Sequence, residues 1–382
     1  MKTLLIALAA AFVLPQAERP PYKTAYRVVN AHHHWINPDE DAVRAQIEVM
    51  DALGIAAAVN LDAGRSDGTL PRWIELERKF PGRFVNFAKF AQKDFERVRE
   101  PGFFDDLVRE LERAAKMGIR GVKIWKDLGM TIQDGPGRLL KLDDPRLDPF
   151  WTRCGELGLP VLIHAADPKD YWEPVTYNSA LYGARTDEAQ LHRIPGMPRW
   201  EELIGQRDHV VRKHPRTVFI GAHFASMTFD LQGLAERLDR FPNFHVECAA
   251  RQRILGRLNP KAVRDFFVKY QDRILFGSDG GVLLGRRRST SPNILVYPVD
   301  DADWPAIDPK DVDAVRRWKD GQPRFYGRYF EYFETDRLDL VDPFGSESGW
   351  DRLSGVKLPP DVLEKFYHAN AERLIPGLAP PK

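Results

Sequence analysis

The stretch Tyr26–Trp35, YRVVNAHHHW, carries three consecutive histidines at the end of an apolar run. The run reads as a buried strand, and a helical segment, DEDAVRAQIEVMDALGI, follows it directly. A histidine cluster flanked in this way belongs to the folding unit and is not a purification tag. Side chains of a strand alternate between faces, so His32 and His34 point together above Val28 and Asn30, while His33 points the other way. Only the outer two can share a ligand, and imidazole is the commonest metal ligand in proteins.

Working outward from this strand, β-rich runs alternate with amphipathic ones. AAAVNLDA, FVNFAKF, RGVKIW, PVLIHA, TVFIGAHFA, FHVECAA and RILFGSDGG read as further strands, and segments with helical spacing of apolar residues lie between them. In the first of those helices Val43, Ile47, Met50 and Leu53 form one stripe. Eight strands alternating with helices are the count of a (β/α)8 barrel, with an open doubly wound sheet as the rival. Two long irregular stretches interrupt the rhythm after strands five and eight. The second, residues 281–357, reads as a lid-like insertion.

The totals narrow the classes of function. Lys and Arg number 56 against 55 Asp and Glu, so a formal charge of +1 offers no field for a polyanion, and nucleic acid is not an expected partner. The two cysteines, Cys154 and Cys248, make neither a disulfide framework nor a thiolate metal site. The opening MKTLLIALAAAFVLPQA has the layout of a secretory leader over about residues 1–20, which predicts export and leaves residues 21–382 as the barrel. No other run is long and apolar enough to span a bilayer, so stable membrane insertion is not expected after leader removal. The chain leaves its oligomeric state open.

The strand ends carry the chemistry. His32 and His34 end strand one, His164 strand five, His223 strand six and Asp279 strand eight, all at the face where a barrel builds its active site. Burying five such groups unpaired would cost several kcal/mol in total. A divalent cation resolves that cost, because neutral imidazoles and a carboxylate suit zinc and its first-row neighbours.

These motifs, in this order, with NAERL in the last helix, resemble the amidohydrolase superfamily. The chain is similar in particular to the amidohydrolase-related branch that includes aminocarboxymuconate-semialdehyde decarboxylase and several lactonases. The resemblance implies one divalent metal ion, zinc with manganese or iron as alternatives. It implies that His32, His34, His164 and Asp279 hold the ion, and that Asp279 and His223 are catalytic. Asn30 departs from the branch, which often has an acidic residue there, and this bears on the support of the histidine pair. Some superfamily members carry a carbamylated lysine on strand four bridging two metals, and GVKIWK offers Lys123 and Lys126. The alternative is that Lys123 binds a substrate carboxylate or pairs with an acidic neighbour, with Trp125 as a wall of the pocket. The expected reaction is hydrolysis of an ester, lactone or amide of a small molecule by a metal-activated water. Decarboxylation of a small carboxylic acid is the alternative, and a non-catalytic binding protein a more distant one.

Overall fold

The computed structural model describes residues 21–35, 37–174, 176, 191, 194–282, 310–344 and 352–379. The leader segment lies outside them, as does much of both long loops. Eight parallel strands alternate with helices: β1 (Val28–Trp35), α1 (Glu40–Leu53), β2 (Ile55–Asn60), α2 (Leu70–Lys79), β3 (Phe84–Phe90), α3 (Phe103–Met117), β4 (Gly121–Ile124), α4 (Asp148–Glu156), β5 (Val161–Ile163), α5 (Trp200–Lys213), β6 (Phe219–Gly221), α6 (Leu231–Arg240), β7 (Phe244–Glu247), α7 (Pro260–Lys269) and β8 (Ile274–Leu275). Strand eight breaks at Phe276 and resumes as β9 (Gly280–Val282), which pairs with β1 through His33–Gly280 and Trp35–Val282. Because β8 pairs with β7 and the Phe276 carbonyl accepts from the Ala31 N–H at 2.9 Å, the two halves of this strand close the ring. The expected (β/α)8 barrel is what forms.

The interior is filled by one apolar layer: Val29, Ala31, Ala57, Val59, Val85, Phe87, Leu162, Ile220 and Leu275, with Ile375 and Leu378 from the end of the chain packed against them. Gly121 on β4 admits the Phe87 ring, since a Cβ there would stand 2.3 Å from its tip. A larger apolar layer lies between the strands and the helices. The polar strand ends sit above the interior layer, so packing beneath fixes the platform on which they stand.

Two local readings are corrected by the structure. Val28 and Asn30 do not lie beneath His32 and His34. The pairing of β1 with β2 slips between Asn30 and His33, and a bulge of this kind re-aims the side chains that follow it. Asn30 therefore faces outward and donates to Ser278 Oγ at 2.8 Å and to the Tyr326 hydroxyl at 3.3 Å. His33 packs edge-on against Trp35, away from the other two histidines, as the alternation predicts. The second correction concerns the lid-like insertion, of which residues 283–309 and 345–351 fall outside the description. Its described part is not irregular: Val312–Glu334 forms a 23-residue helix, α8, with Asp311 as its N-cap and Pro323 inside it. Tyr326, Tyr329, Phe330, Tyr332 and Phe333 of α8 are buried, and the Tyr329 hydroxyl reaches the Ser278 carbonyl beside Asp279.

The last helix begins at Pro360–Glu364, passes through a π-turn at Lys365–Ala369 and ends as Asn370–Leu374. Insertions of this type free carbonyls from the helical ladder. Here the Phe366 carbonyl accepts from the Phe276 N–H at 2.9 Å, and Asn370 of NAERL donates to the carbonyls of Gln271 and Ile274. The C-terminal helix thus anchors the strand that presents Asp279. No helix among the described residues is long and apolar enough to cross a membrane.

Candidate metal centre

His32 is fully buried, and its Nδ1 donates to Glu247 Oε1 at 2.8 Å. His34 Nδ1 donates to Asp62 Oδ2 at 2.6 Å. An ionised carboxylate only accepts, so each bond assigns the ring proton to Nδ1 and turns Nε2 toward the centre of the rim. The two Nε2 atoms lie 3.2 Å apart, and Asp279 Oδ1 stands 3.2 Å from that of His32 and 3.1 Å from that of His34. Among the described residues, one group of metal-ligand type comes together, His32, His223 and Asp279, with donor atoms within 4.8 Å of one another.

The carboxylate is delivered by a strained turn. Asp279 has φ of 58°, the left-handed region that costs a residue with a side chain. Tyr329 of α8 donates to the preceding carbonyl, Ser278 O, and the Ser278 N–H is held by Asn30 Oδ1 at 3.1 Å. Gly277 is obligatory here: a Cβ would stand 2.6 Å from Glu247 Oε2 and 2.8 Å from His32 Cβ. His223 begins a run of four left-handed residues, His223 to Ser226. The run is pinned by Glu247 Oε1, which accepts from the His223 N–H at 2.6 Å, and by buried Arg207, which donates to Ala225 O at 2.6 Å. His223 Nδ1 donates to Ala249 O at 2.9 Å, which leaves Nε2 facing the cluster.

His164 differs. Neither ring nitrogen has a hydrogen-bond partner, the nearest acceptor being Asp167 Oδ1 at 3.6 Å, and its ring lies 4.6 Å from that of His223. Burial pushes His164 down to about 3 despite Asp167, and holds His223 well below the usual imidazole range. Burial also opposes charge on His34, but Asp62 and Asp279 outweigh it and lift the group to about 9. Asp279 itself is held well below the carboxylate range, its burial being overcome by His223, His32 and the bonds from His32 and His34. Glu247, Asp62 and Asp279 thus surround the two strand-one imidazoles with negative charge. Imidazole nitrogens turned inward, with carboxylates behind them, fit a divalent cation.

Lys123 and Trp125 stand at this centre, while Lys126 is held by Asp167 at 3.0 Å. Lys123 is fully buried, its Nζ has no hydrogen-bond partner, and burial pushes it down to about 8 against the pull of Glu247 and Asp279. The Trp125 ring lies 5.8 Å from His34 and 5.9 Å from His164, with Lys89 Nζ 4.5 Å over it. Lys89 also pairs with Asp62 at 2.6 Å.

The sequence reading passed over Glu247, Asp62 and Lys89. Glu247 and Asp62 end apolar strands, FHVE and NLD, and that signal equals the one that selected His164 and Asp279. The neighbouring Cys248 thiol is buried and pushed up by burial, as a packing residue is. The acidic support that Asn30 does not supply comes from these two carboxylates.

No curated protein matches the chain in sequence. Solved structures similar to it include a putative amidohydrolase from Staphylococcus aureus, 17% identical over 91% of this chain and 99% of that one, with a TM-score of 0.48. A dihydroxybenzoic acid decarboxylase from a Polaromonas species, with bound manganese and the inhibitor 2-nitroresorcinol, is 15% identical over 91% and 96%, with a TM-score of 0.48. A probable 2-pyrone-4,6-dicarboxylic acid hydrolase from Acinetobacter baumannii, with citric acid bound, is 13% identical over 66% and 84%, with a TM-score of 0.37. The family model described as amidohydrolase matches residues 29–377, from the histidine strand to the helix that anchors strand eight. The chain belongs to the amidohydrolase family.

Proposed function

We propose that this amidohydrolase-family enzyme is a metal-dependent hydrolase acting on an ester, lactone or amide of a small molecule. One observation carries the reading: Asp279 Oδ1 lies 3.2 and 3.1 Å from two imidazole nitrogens whose opposite nitrogens are each locked by a buried carboxylate. His32, His34, His164 and Asp279 would hold one divalent ion, zinc in the first instance. Such an ion lowers the pKa of water toward neutrality and polarises a carbonyl oxygen. Asp279 Oδ2 then takes the proton of the attacking water and returns it to the leaving group. His223, whose ring proton lies on Nδ1 toward Ala249 O, would stabilise the negative charge that develops on the substrate oxygen once Nε2 has taken a second proton. Trp125 would form a wall of the pocket beside His34.

Decarboxylation of a small carboxylic acid is the second reading, favoured by the Lys123 ammonium, buried without a hydrogen-bond partner and matched in charge by a substrate carboxylate. A panel of lactones, esters and aromatic carboxylates offered to zinc- or manganese-loaded protein tests the two together. Once a substrate is found, Asp279→Asn should keep most of the metal while turnover falls about 100-fold or more. Near-normal turnover would make Asp279 a spectator and favour decarboxylation.

A further inference from the structure

Asp167 has no part in the chemistry above. It lies three residues after His164, is buried, and belongs to a turn whose backbone is pinned at two successive carbonyls. Trp200, the first residue of α5, donates through Nε1 to the Asp167 carbonyl at 3.2 Å, and the Ser226 hydroxyl donates to the Ala166 carbonyl. Ser226 ends the left-handed run that begins at His223, so the turn after β5 is tied to the turn after β6. From this fixed backbone the Asp167 carboxylate reaches two groups. Lys126 Nζ donates to Oδ2 at 3.0 Å and to Oδ1 at 3.3 Å, and the same Oδ1 stands 3.6 Å from His164 Nε2. The last contact is an ion-pair distance, too long for a hydrogen bond, and a shift of about 0.7 Å brings it to ordinary N–H···O length. Glu247 and Asp62 hold the strand-one histidines in the way that Asp167 falls just short of holding His164, at 2.8 and 2.6 Å.

We infer that Asp167 is the positioning residue of His164: Lys126 holds its carboxylate back in the metal-free protein, and on metal loading Oδ1 closes on the Nε2–H of His164. An imidazole that gives Nε2–H to a carboxylate offers its lone pair from Nδ1, the reverse of the strand-one pair, whose protons lie on Nδ1. The inference rests on the reading of His164 as a metal ligand. It applies to hydrolysis and to decarboxylation alike.

Zinc titrated into full-length protein by calorimetry, with nitrogen NMR of the labelled histidine rings, tests it. Asp167→Asn should weaken zinc binding about 10- to 100-fold, and Asp167→Glu should restore part of the loss. Lys126→Met should tighten zinc binding about 3-fold or more, because it releases the carboxylate to order His164 in advance. A salt bridge that only supports the fold predicts weaker binding instead. Removing a cation near the centre also favours zinc by charge alone, but that gain is the same whether Asp167 or Asn stands beside it. The gain from Lys126→Met should therefore be larger in the wild-type background than in Asp167→Asn, and equal gains overturn the inference. In the zinc-loaded wild type the ring proton of His164 should sit on Nε2. A proton on Nδ1 overturns the inference, and this measurement decides if Asp167→Asn fails to fold. Zinc bound equally by wild type and Asp167→Asn removes Asp167 alone, whereas failure of the wild type to bind zinc removes the metal centre and the inference with it.

Discussion

Strands one and five both end in histidine, and the barrel treats the two ends differently. At β1, the Nδ1 atoms of His32 and His34 are locked by Glu247 and Asp62, and both Nε2 atoms converge on Asp279. At β5, His164 is also buried, yet neither nitrogen has a hydrogen-bond partner, Asp167 Oδ1 standing 3.6 Å from Nε2. An imidazole locked by a carboxylate has lost its orientational freedom and chosen its tautomer before any ligand arrives, whereas an unlocked one must do both on binding. If the proposed metal centre forms, the contrast separates a preformed pair from an adaptable third ligand.

The contrast can be broken most sharply by deletion. His34→Ala should lower zinc affinity beyond the roughly 100-fold upper range for supporting residues, with excess zinc restoring part of the occupancy. His164→Ala should cost about 2- to 10-fold less than His34→Ala, the difference reflecting the ordering of an unlocked ring. Equal losses in a calorimetric titration would erase the distinction. Removing the locks sharpens it: Glu247→Gln and Asp62→Asn should each cost about 10- to 100-fold in zinc affinity, while circular dichroism reports whether the barrel survives.

A smaller effect is expected at the turn that carries Asp279. Tyr329→Phe removes the hydroxyl shared by Ser278 O and Ala250 N, and should destabilise the protein by about 1–3 kcal/mol in urea unfolding. The smallest effect lies outside the centre. His245 on β7 is, like His164, buried with an unpartnered nitrogen, and burial together with Arg273 and Arg373 pushes it down to about 3. Its folded pKa lies below the unfolded value near 6.5, so its stabilising contribution is complete above that value and is lost as pH falls toward 3. Between pH 7 and pH 6 the wild type should lose about 0.7 kcal/mol that His245→Phe does not. Parallel pH profiles of the two proteins would contradict the burial of a neutral ring.

The alternation of strands and helices was legible because every barrel strand is buried on both faces and therefore reads as an apolar run. His32, His34, His164, His223 and Asp279 were legible because polar groups at the ends of such runs stand out. Less was visible where geometry depends on partners distant in sequence. The slip that turns Asn30 outward arises from pairing with β2, and the pairings of Glu247 with His32 and of Asp62 with His34 span 215 and 28 residues. Helix α8 was missed because Pro323 and a dense set of charges mask the period of Trp318, Phe325, Tyr329 and Phe333, which packing of Tyr329 on Phe276 and of Phe333 on Phe366 reveals.

Metal content tests the central claim most directly. Elemental analysis of purified full-length protein supplied with zinc and manganese should find close to one first-row divalent ion per chain, with the intact mass carrying no addition at Lys123. Two ions per chain with an extra carboxyl mass on Lys123 would contradict the single centre proposed at His32, His34, His164 and Asp279, and no bound ion would contradict the centre itself.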